Sequence, residues 1–352
     1  MRIALVAASP EITGGQSVQA RALAVGLAEE GYEVAFVPID PQFPRGLRWV
    51  RRWPYARTLL NQALYFPGLG RLRRADVVHI FSASYWSFVL SVVPAILAAR
   101  RFGKRTVLNY HSGEADDHLA RWGPLVHPWL SLVDEIVVPS EYLRTVFARH
   151  GYGVRVVRNV VDATRFRYRD RVRLQPRLIS SRNLHPYYRI ENTLEAFVLL
   201  KGRYPEATLT LTGDGSERAR LERLAVALGT DGIRFVGRVE PAAMPALYDA
   251  ADIFVNSSIV DNQPVSVLEA FAAGLPVVST ATGDIAALVR DGETGLVVPP
   301  GDPSAMAKAV TTLLEHPRRA LRMTRHARDL VEAYSWPRVC DHWAAVYAGT
   351  PA

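Results

Sequence analysis

Short apolar runs rich in β-branched residues alternate with stretches of helical periodicity along most of the chain. In the first half, RIALVA (2–7), EVAFVP (33–38), DVVHIF (76–81), RTVLNY (105–110), DEIVVP (134–139) and VRVVRN (154–159) read as strands. Helices are predicted between most of them, for instance over Gln16–Glu30, Tyr85–Phe102 and Ser140–His150. The second half repeats the rhythm with PRLIS (176–180), ATLTLT (207–212), IRFVG (233–237), DIFVN (252–256), LPVVST (275–280) and GLVVP (295–299). Its helices are expected near Glu191–Tyr204, Ser216–Leu228, Pro241–Ala250, Pro264–Ala273 and Asp284–Val289. Strands apolar on both faces and separated by helices belong to parallel sheets covered on both sides. The fold class is therefore α/β, with two doubly wound domains expected over 1–160 and 177–334. The polar, Arg-rich stretch 161–176, ending at Pro176, is the expected linker. Residues 303–352 carry helical pattern and no strand. Ligands of such sheets bind at the carboxyl ends of the strands, which places a cleft between the two domains.

Composition supports this division. The chain has 352 residues, enough for two ordinary domains. Its hydrophobic share of 49% against 22% charged residues suits proteins with buried cores. The sequence opens directly on a strand, so no secretory signal is expected. The apolar run 88–99 is too short to span a bilayer. One cysteine, Cys340, allows neither an internal disulfide nor a cysteine metal cluster, and a reducing cytoplasm is the expected setting.

Charge changes the picture by its position. Residues 1–160 hold 19 Lys and Arg against 12 Asp and Glu, whereas the remainder is nearly balanced. Within the first half, residues 41–75 carry eight arginines, six aromatics and no acid, with Arg48, Trp49, Arg51, Arg52 and Trp53 at the centre. Arg interleaved with Trp and Tyr suits an anionic membrane surface, at the inner face of a membrane, or an anionic acceptor, a glycan or a lipid-linked one. A solvated basic helix face is the competing reading. No recognition motif accompanies the charge, so nucleic acid is not an expected partner.

The helix predicted over Pro264–Ala273 has one anomaly. Pro264 suits its first turn and Gly274 its end. Among its otherwise apolar residues only Ser266 and Glu269 are polar, three apart and hence on one face. Asp261 lies in the preceding loop. Two carboxylates flanking a helix N-terminus can hold hydroxyls and phosphate together, although a turn-forming Asp and a solvated Glu fit the spacing too.

At these residues the chain resembles the retaining GT-B glycosyltransferases of the family called GT4. An acid, seven residues and Glu, ending in LEAFAAGLPVV, resembles the family's acid-x7-Glu signature. GGQSVQARALAVGLAEEGYEV resembles its first glycine loop and helix, RNVVDATRF its linker, and LTGDGSER, IRFVGRVEPAAMPALYDAADIFVNSS and DGETGLVVPPGDP its later blocks. YSWPRV resembles its closing helix, which implies that residues 335–352 cross back to the first domain. The resemblance implies two Rossmann-like domains facing across a cleft, the first for the acceptor and the second for a nucleotide sugar. It implies retention of anomeric configuration with neither metal nor other cofactor.

Residue by residue, the resemblance implies that Glu269 binds the donor's ribose and Asp261 the transferred sugar. Asp261 is one methylene shorter than the family's usual Glu. Asn262, Gln263 and Pro264 stand where the family has Gly-Phe-Gly, and Pro264 has no N–H to offer, so the sugar contacts are altered. Gly14 and Gly15 would face the diphosphate, although by themselves they also fit a tight turn. Arg182 would stabilise the leaving diphosphate, and Arg189 is the nearest replacement for the Lys the family carries there. Tyr187 or Tyr188 would add a hydroxyl. His111, after the fourth strand, would point at the sugar. Gly213, Gly215, Val236 and Gly237 would lie against the nucleobase. Other functions stay open: a GT-B sugar-nucleotide epimerase, or a partner protein of the same fold with weakened catalysis. A nicotinamide-dependent oxidoreductase is disfavoured, because no GxGxxG follows the first strand.

Overall fold

The computed structural model describes residues 1–9, 15–82 and 84–350, the Arg51 side chain excepted. The chain divides into two compact units, one of residues 1–160 with 339–352 and one of residues 161–338.

The first unit is a six-stranded parallel sheet of β1 (Arg2–Ala7), β2 (Glu33–Pro38), β3 (Val77–Ser82), β4 (Arg105–Tyr110), β5 (Glu135–Val138) and β6 (Arg155–Val156), in the order β2-β1-β3-β4-β5-β6. The second contains β7 (Arg177–Ser181), β8 (Thr208–Thr212), β9 (Ile233–Gly237), β10 (Ile253–Asn256), β11 (Val277–Thr280) and β12 (Leu296–Val298), in the order β12-β11-β10-β7-β8-β9. Every named strand pair is parallel. Strand order reverses between β1 and β3 in one sheet and between β7 and β10 in the other. At such switch points the connecting loops part and leave room for a ligand.

The terminal helix Trp336–Ala348 contributes to the first unit from Val339 onward. Its anchor is His79, fully buried on β3, whose Nδ1 lies 2.8 Å from the Tyr347 hydroxyl while Trp343 packs on its ring. Burial pushes His79 down to about 3, so a neutral imidazole joins strand and helix. Arg105 on β4 donates to the Val346 carbonyl (3.0 Å) near the helix's end.

The 161–176 stretch, expected as a linker, packs into the second unit. Its Arg171 is buried and donates to the carbonyls of Tyr248 (3.1 Å), Ala251 (3.0 Å) and Ala273 (2.6 Å). These carbonyls lie at the C-terminal ends of helices Met244–Ala250 and Val265–Ala272, where intrahelical donors run out. One guanidinium thereby satisfies the ends of two helices, and Asp252, 3.5 Å away, balances its charge. Polar composition suggests a solvated segment; its arginine is instead a buried cap. Arg171→Met should destabilise the protein by about 3 kcal/mol, because three carbonyls and a buried carboxylate lose a donor. Urea denaturation would check this, and a change below about 0.5 kcal/mol would contradict it.

Candidate functional site

Of the candidate residues of the second unit, Arg182, Asp261, Ser266 and Glu269 gather at the switch point between β7 and β10. Arg182 follows β7, and its guanidinium is buried. It forms an ion pair with Asp261 in the loop after β10 and donates to Ser266 Oγ (3.0 Å) and Ser258 Oγ (3.4 Å). The Tyr188 ring lies beneath it, 4.3 Å from Cζ to centroid. Ser258 donates to Asn256 Oδ1 (2.6 Å), and Asn256 in turn donates to Ser279 on β11 (2.9 Å). The charge therefore rests on a buried polar network spanning two strand ends.

The helix bearing Ser266 and Glu269 runs Val265–Ala272, with Pro264 just outside as its cap residue instead of in its first turn. Pro264 has extended backbone (ψ 114°), which ends the loop and starts the helix in one residue. The apolar residues of the helix are buried in the core of the unit. Glu269 is partly buried and accepts from the Tyr248 hydroxyl at 3.0 Å. Desolvation pushes its carboxyl up to about 7, against the pull of the Tyr248 hydrogen bond and the Arg165 charge. Ser266 joins the two ends of the site, because it takes Arg182 on its side chain while its carbonyl accepts from Tyr248 (3.3 Å).

Several glycines and loop residues do local work here. A Cβ on Gly213 would sit 2.3 Å from the Arg182 carbonyl, and one on Gly215 2.2 Å from that of Leu184. These two glycines let the β8 loop press against the segment carrying Arg182. Gly237 (φ 79°) accepts from the Gly213 N–H (2.8 Å), and Val236 beside it is exposed. Asn262 and Gln263 are buried; Gln263 donates to Asp284 (3.1 Å), and the Asn262 carbonyl accepts from the Asp284 N–H (3.1 Å). Gly283 allows this clasp, since its Cβ would overlap the Asp261 carbonyl.

Arg189 is placed differently from Arg182. Its side chain is half exposed and pairs with Glu191 (3.2 Å), and its backbone is left-handed at φ 49°. Ser257 donates to its carbonyl (2.8 Å) and to that of Tyr188 (2.9 Å), holding this unfavourable turn in place. In the first unit, His111 follows β4 and stacks on Phe81 at 5.2 Å; burial holds it neutral, at about 4. Gly15 begins the helix Gly15–Glu29, and nothing lies near the position its Cβ would take. Gly14 and the Arg51 side chain lie outside the described residues. Arg48, Trp49, Arg52 and Trp53 are exposed, on a 3-10 segment (Arg45–Arg52) and at the start of the next helix. Among the described residues no group of three or more His, Cys, Asp or Glu is placed to hold a metal ion, and no helix is long and apolar enough to cross a membrane.

Sequence reasoning missed Ser258 and Tyr248. It expects a hydroxyl from Tyr187 or Tyr188; the contact that the Tyr188 ring makes with Arg182 through its face is an addition to that expectation. Serine and tyrosine carry no periodic signature, and their roles exist only once β7 and β10 are neighbours.

The sequence profile described as Glycosyl transferases group 1 matches residues 167–330, and that of Glycosyltransferase Family 4 matches residues 13–165. A D-inositol 3-phosphate glycosyltransferase 2 from Catenulispora acidiphila is 30% identical over 82% of this chain and 73% of its own length. The chain belongs to this glycosyltransferase family. A glycogen synthase from Mycobacterium tuberculosis is 29% identical over 90% of the chain and 80% of the relative. Among solved structures, Anabaena HepE in complex with UDP-glucose has a TM-score of 0.78 at 16% identity, covering 99% of this chain and all of that one. Sucrose-phosphate synthase from Thermosynechococcus elongatus has a TM-score of 0.75 at 21% identity, covering 99% and 98%. The expected GT-B class of fold is borne out.

In this glycosyltransferase, Glu269 has a measurable signature. Its carboxyl titrates near 7 when folded but near 4.5 in free solution. The folded state thus retains a proton that the unfolded chain has released, and burial of the ionised form costs more stability as pH rises from about 4.5 to 7. Glu269→Gln should raise stability by roughly 1–2 kcal/mol at pH 8 and by less at pH 5, read from thermal melts. An equal effect at both pH values would contradict the assignment.

Proposed function

We propose that this glycosyltransferase moves a sugar from a nucleotide-diphosphate donor to a hydroxyl acceptor, with retention of configuration. The observation that carries the reading is the buried Arg182 guanidinium at the β7–β10 switch point, with Ser266 and Glu269 on the adjoining helix. As the sugar–oxygen bond breaks, negative charge grows on the departing diphosphate. A cation already desolvated and oriented stabilises that charge with little rearrangement. In the resting protein Asp261 satisfies Arg182. The donor's phosphates take over that pairing, which frees Asp261 to accept from the sugar hydroxyls. Glu269, ionised at and above neutral pH, accepts from the ribose diol. The acceptor attacks from the face the diphosphate leaves, and a phosphate oxygen takes its proton. Arg182 supplies the positive charge, and no metal is invoked. His111, neutral and stacked on Phe81 in the first unit, is a candidate to hydrogen-bond a sugar hydroxyl.

Arg182→Ala and Glu269→Ala should each lower transfer from the accepted donor by about 100-fold or more, since each removes a charge from the reacting region. The accepted donor is found by thermal shift against a panel of nucleotide sugars. Unchanged kcat/KM in both variants would refute the reading. Isomerisation of the free nucleotide sugar without any transfer would move the protein to the epimerase class.

On the same reading the acceptor is presented at an anionic membrane surface. Trp49 (62% exposed), Trp53 (64%), Tyr55 (89%) and Leu59 (74%) stand out among exposed arginines. Large rings without cover support insertion into a headgroup layer, with Arg48 and Arg52 meeting lipid phosphates. The protein should float with vesicles containing phosphatidylglycerol and not with neutral phosphatidylcholine vesicles. Trp49→Ala/Trp53→Ala should release it; binding that ignores both lipid charge and these rings would overturn the membrane assignment.

A further inference from the structure

A second cluster, confined to the first unit, stands at that unit's own switch point. The segment after β3 begins beside the first helix, where Gln16 donates to the Ser82 carbonyl (2.8 Å). Tyr85 there adopts φ 56°, an unfavourable conformation for a bulky side chain, and residues Phe88–Val92 are wound as a π-helix. Both departures concentrate where proteins bind ligands. Packing over-determines the strain: the Tyr85 hydroxyl donates to Asp117 (2.8 Å), and its ring meets Trp122 and His118 edge-on. His118 is fully buried, with Nδ1 2.7 Å from the Tyr110 hydroxyl and no partner for Nε2 among the described residues. Beyond this base, Trp86 is 63% exposed and stands perpendicular to Trp122, with ring centroids 5.2 Å apart. Glu114 and Asp117 lie on the next segment of the same edge, at the start of helix Ala115–Arg121.

We propose that Trp86, Trp122, Glu114 and Asp117 form a subsite for a pyranose ring of the acceptor glycan, and it rests on the transferase reading only in calling that glycan the acceptor. The apolar C–H face of a sugar covers an exposed indole, while carboxylates accept from its vicinal hydroxyls. The sign of the charge separates this patch from the arginine-rich one. Asp117 is paired with Arg121 (2.9 Å), so the Glu114 charge is what disfavours lipid phosphates and phosphorylated ligands, whereas neutral hydroxyls suit both carboxylates. Tyr85, held by Asp117, packs edge-on against Trp122, against which Trp86 stands.

An array of neutral oligosaccharides probed with the full-length protein tests this. The wild type should retain at least one glycan class. Trp86→Ala should weaken that binding by about 10-fold, and Trp86→Phe should recover most of it, as expected for loss and return of a stacked ring. Trp86 is exposed, so the melting temperature should not move. Failure of the wild type to bind any array glycan, or equal binding by Trp86→Ala, would overturn the subsite. Nucleotide-sugar thermal shifts on the same variants keep the two ideas apart: they should be unaffected by Trp86→Ala. If the wild type bound no nucleotide sugar, the donor reading would fail while the array result for the subsite stood.

Discussion

A positive charge held out of water at the end of β7 organises the second unit. Burying a guanidinium is costly unless its charge and its N–H groups are met. Here Asp261, Ser266, Ser258 and the Tyr188 ring, drawn from three segments, meet the charge and the terminal N–H groups, while Nε has no partner among the described residues. Those four contacts tie the β7 loop, the β10 loop and the helix Val265–Ala272 to one point. Gly213 and Gly215 belong to the same constraint, since any side chain there would push the Arg182 segment away. A group held from three segments has little freedom to turn, and the cost of arranging it falls on folding.

Arg171 shows what the same side chain does without a site. It is equally buried, yet its donors are taken up by helix-end carbonyls and its charge by Asp252, so it has nothing left for a ligand. The difference between the two arginines lies in their partners. Those of Arg182 are a carboxylate, two hydroxyls and a ring, all side chains, whereas the donors of Arg171 go mainly to backbone carbonyls, with Asp252 balancing the charge. Arg189, half exposed beside Glu191, belongs to neither class.

The first unit sorts its surface by charge. One face presents exposed rings among arginines, and the edge after β3 presents the exposed Trp86 ring and, on its next segment, Glu114 and Asp117. Beneath that edge lie histidines kept neutral by burial, at about 4 for His111 and His118 and about 3 for His79. Neutral imidazoles stack and hydrogen-bond without importing charge, which leaves the sign of each patch to its surface residues.

Much of this protein was legible in its sequence. All twelve strands overlap the apolar runs that predict them, because β-branched runs and helical periods are local properties. The buried helix with a single polar face was equally plain, and so was the arginine-rich segment without acids. Strand order was not legible: whether β7 lies beside β10 depends on packing among residues far apart in the chain. That neighbourhood brings Arg182 to Ser266, 84 positions away, turns Tyr188 into a ring platform and sets Tyr248 against Glu269. It also draws Arg171 out of an apparent linker into the core. Pattern shows which side chains must leave water, but only the folded chain decides which partners they find there.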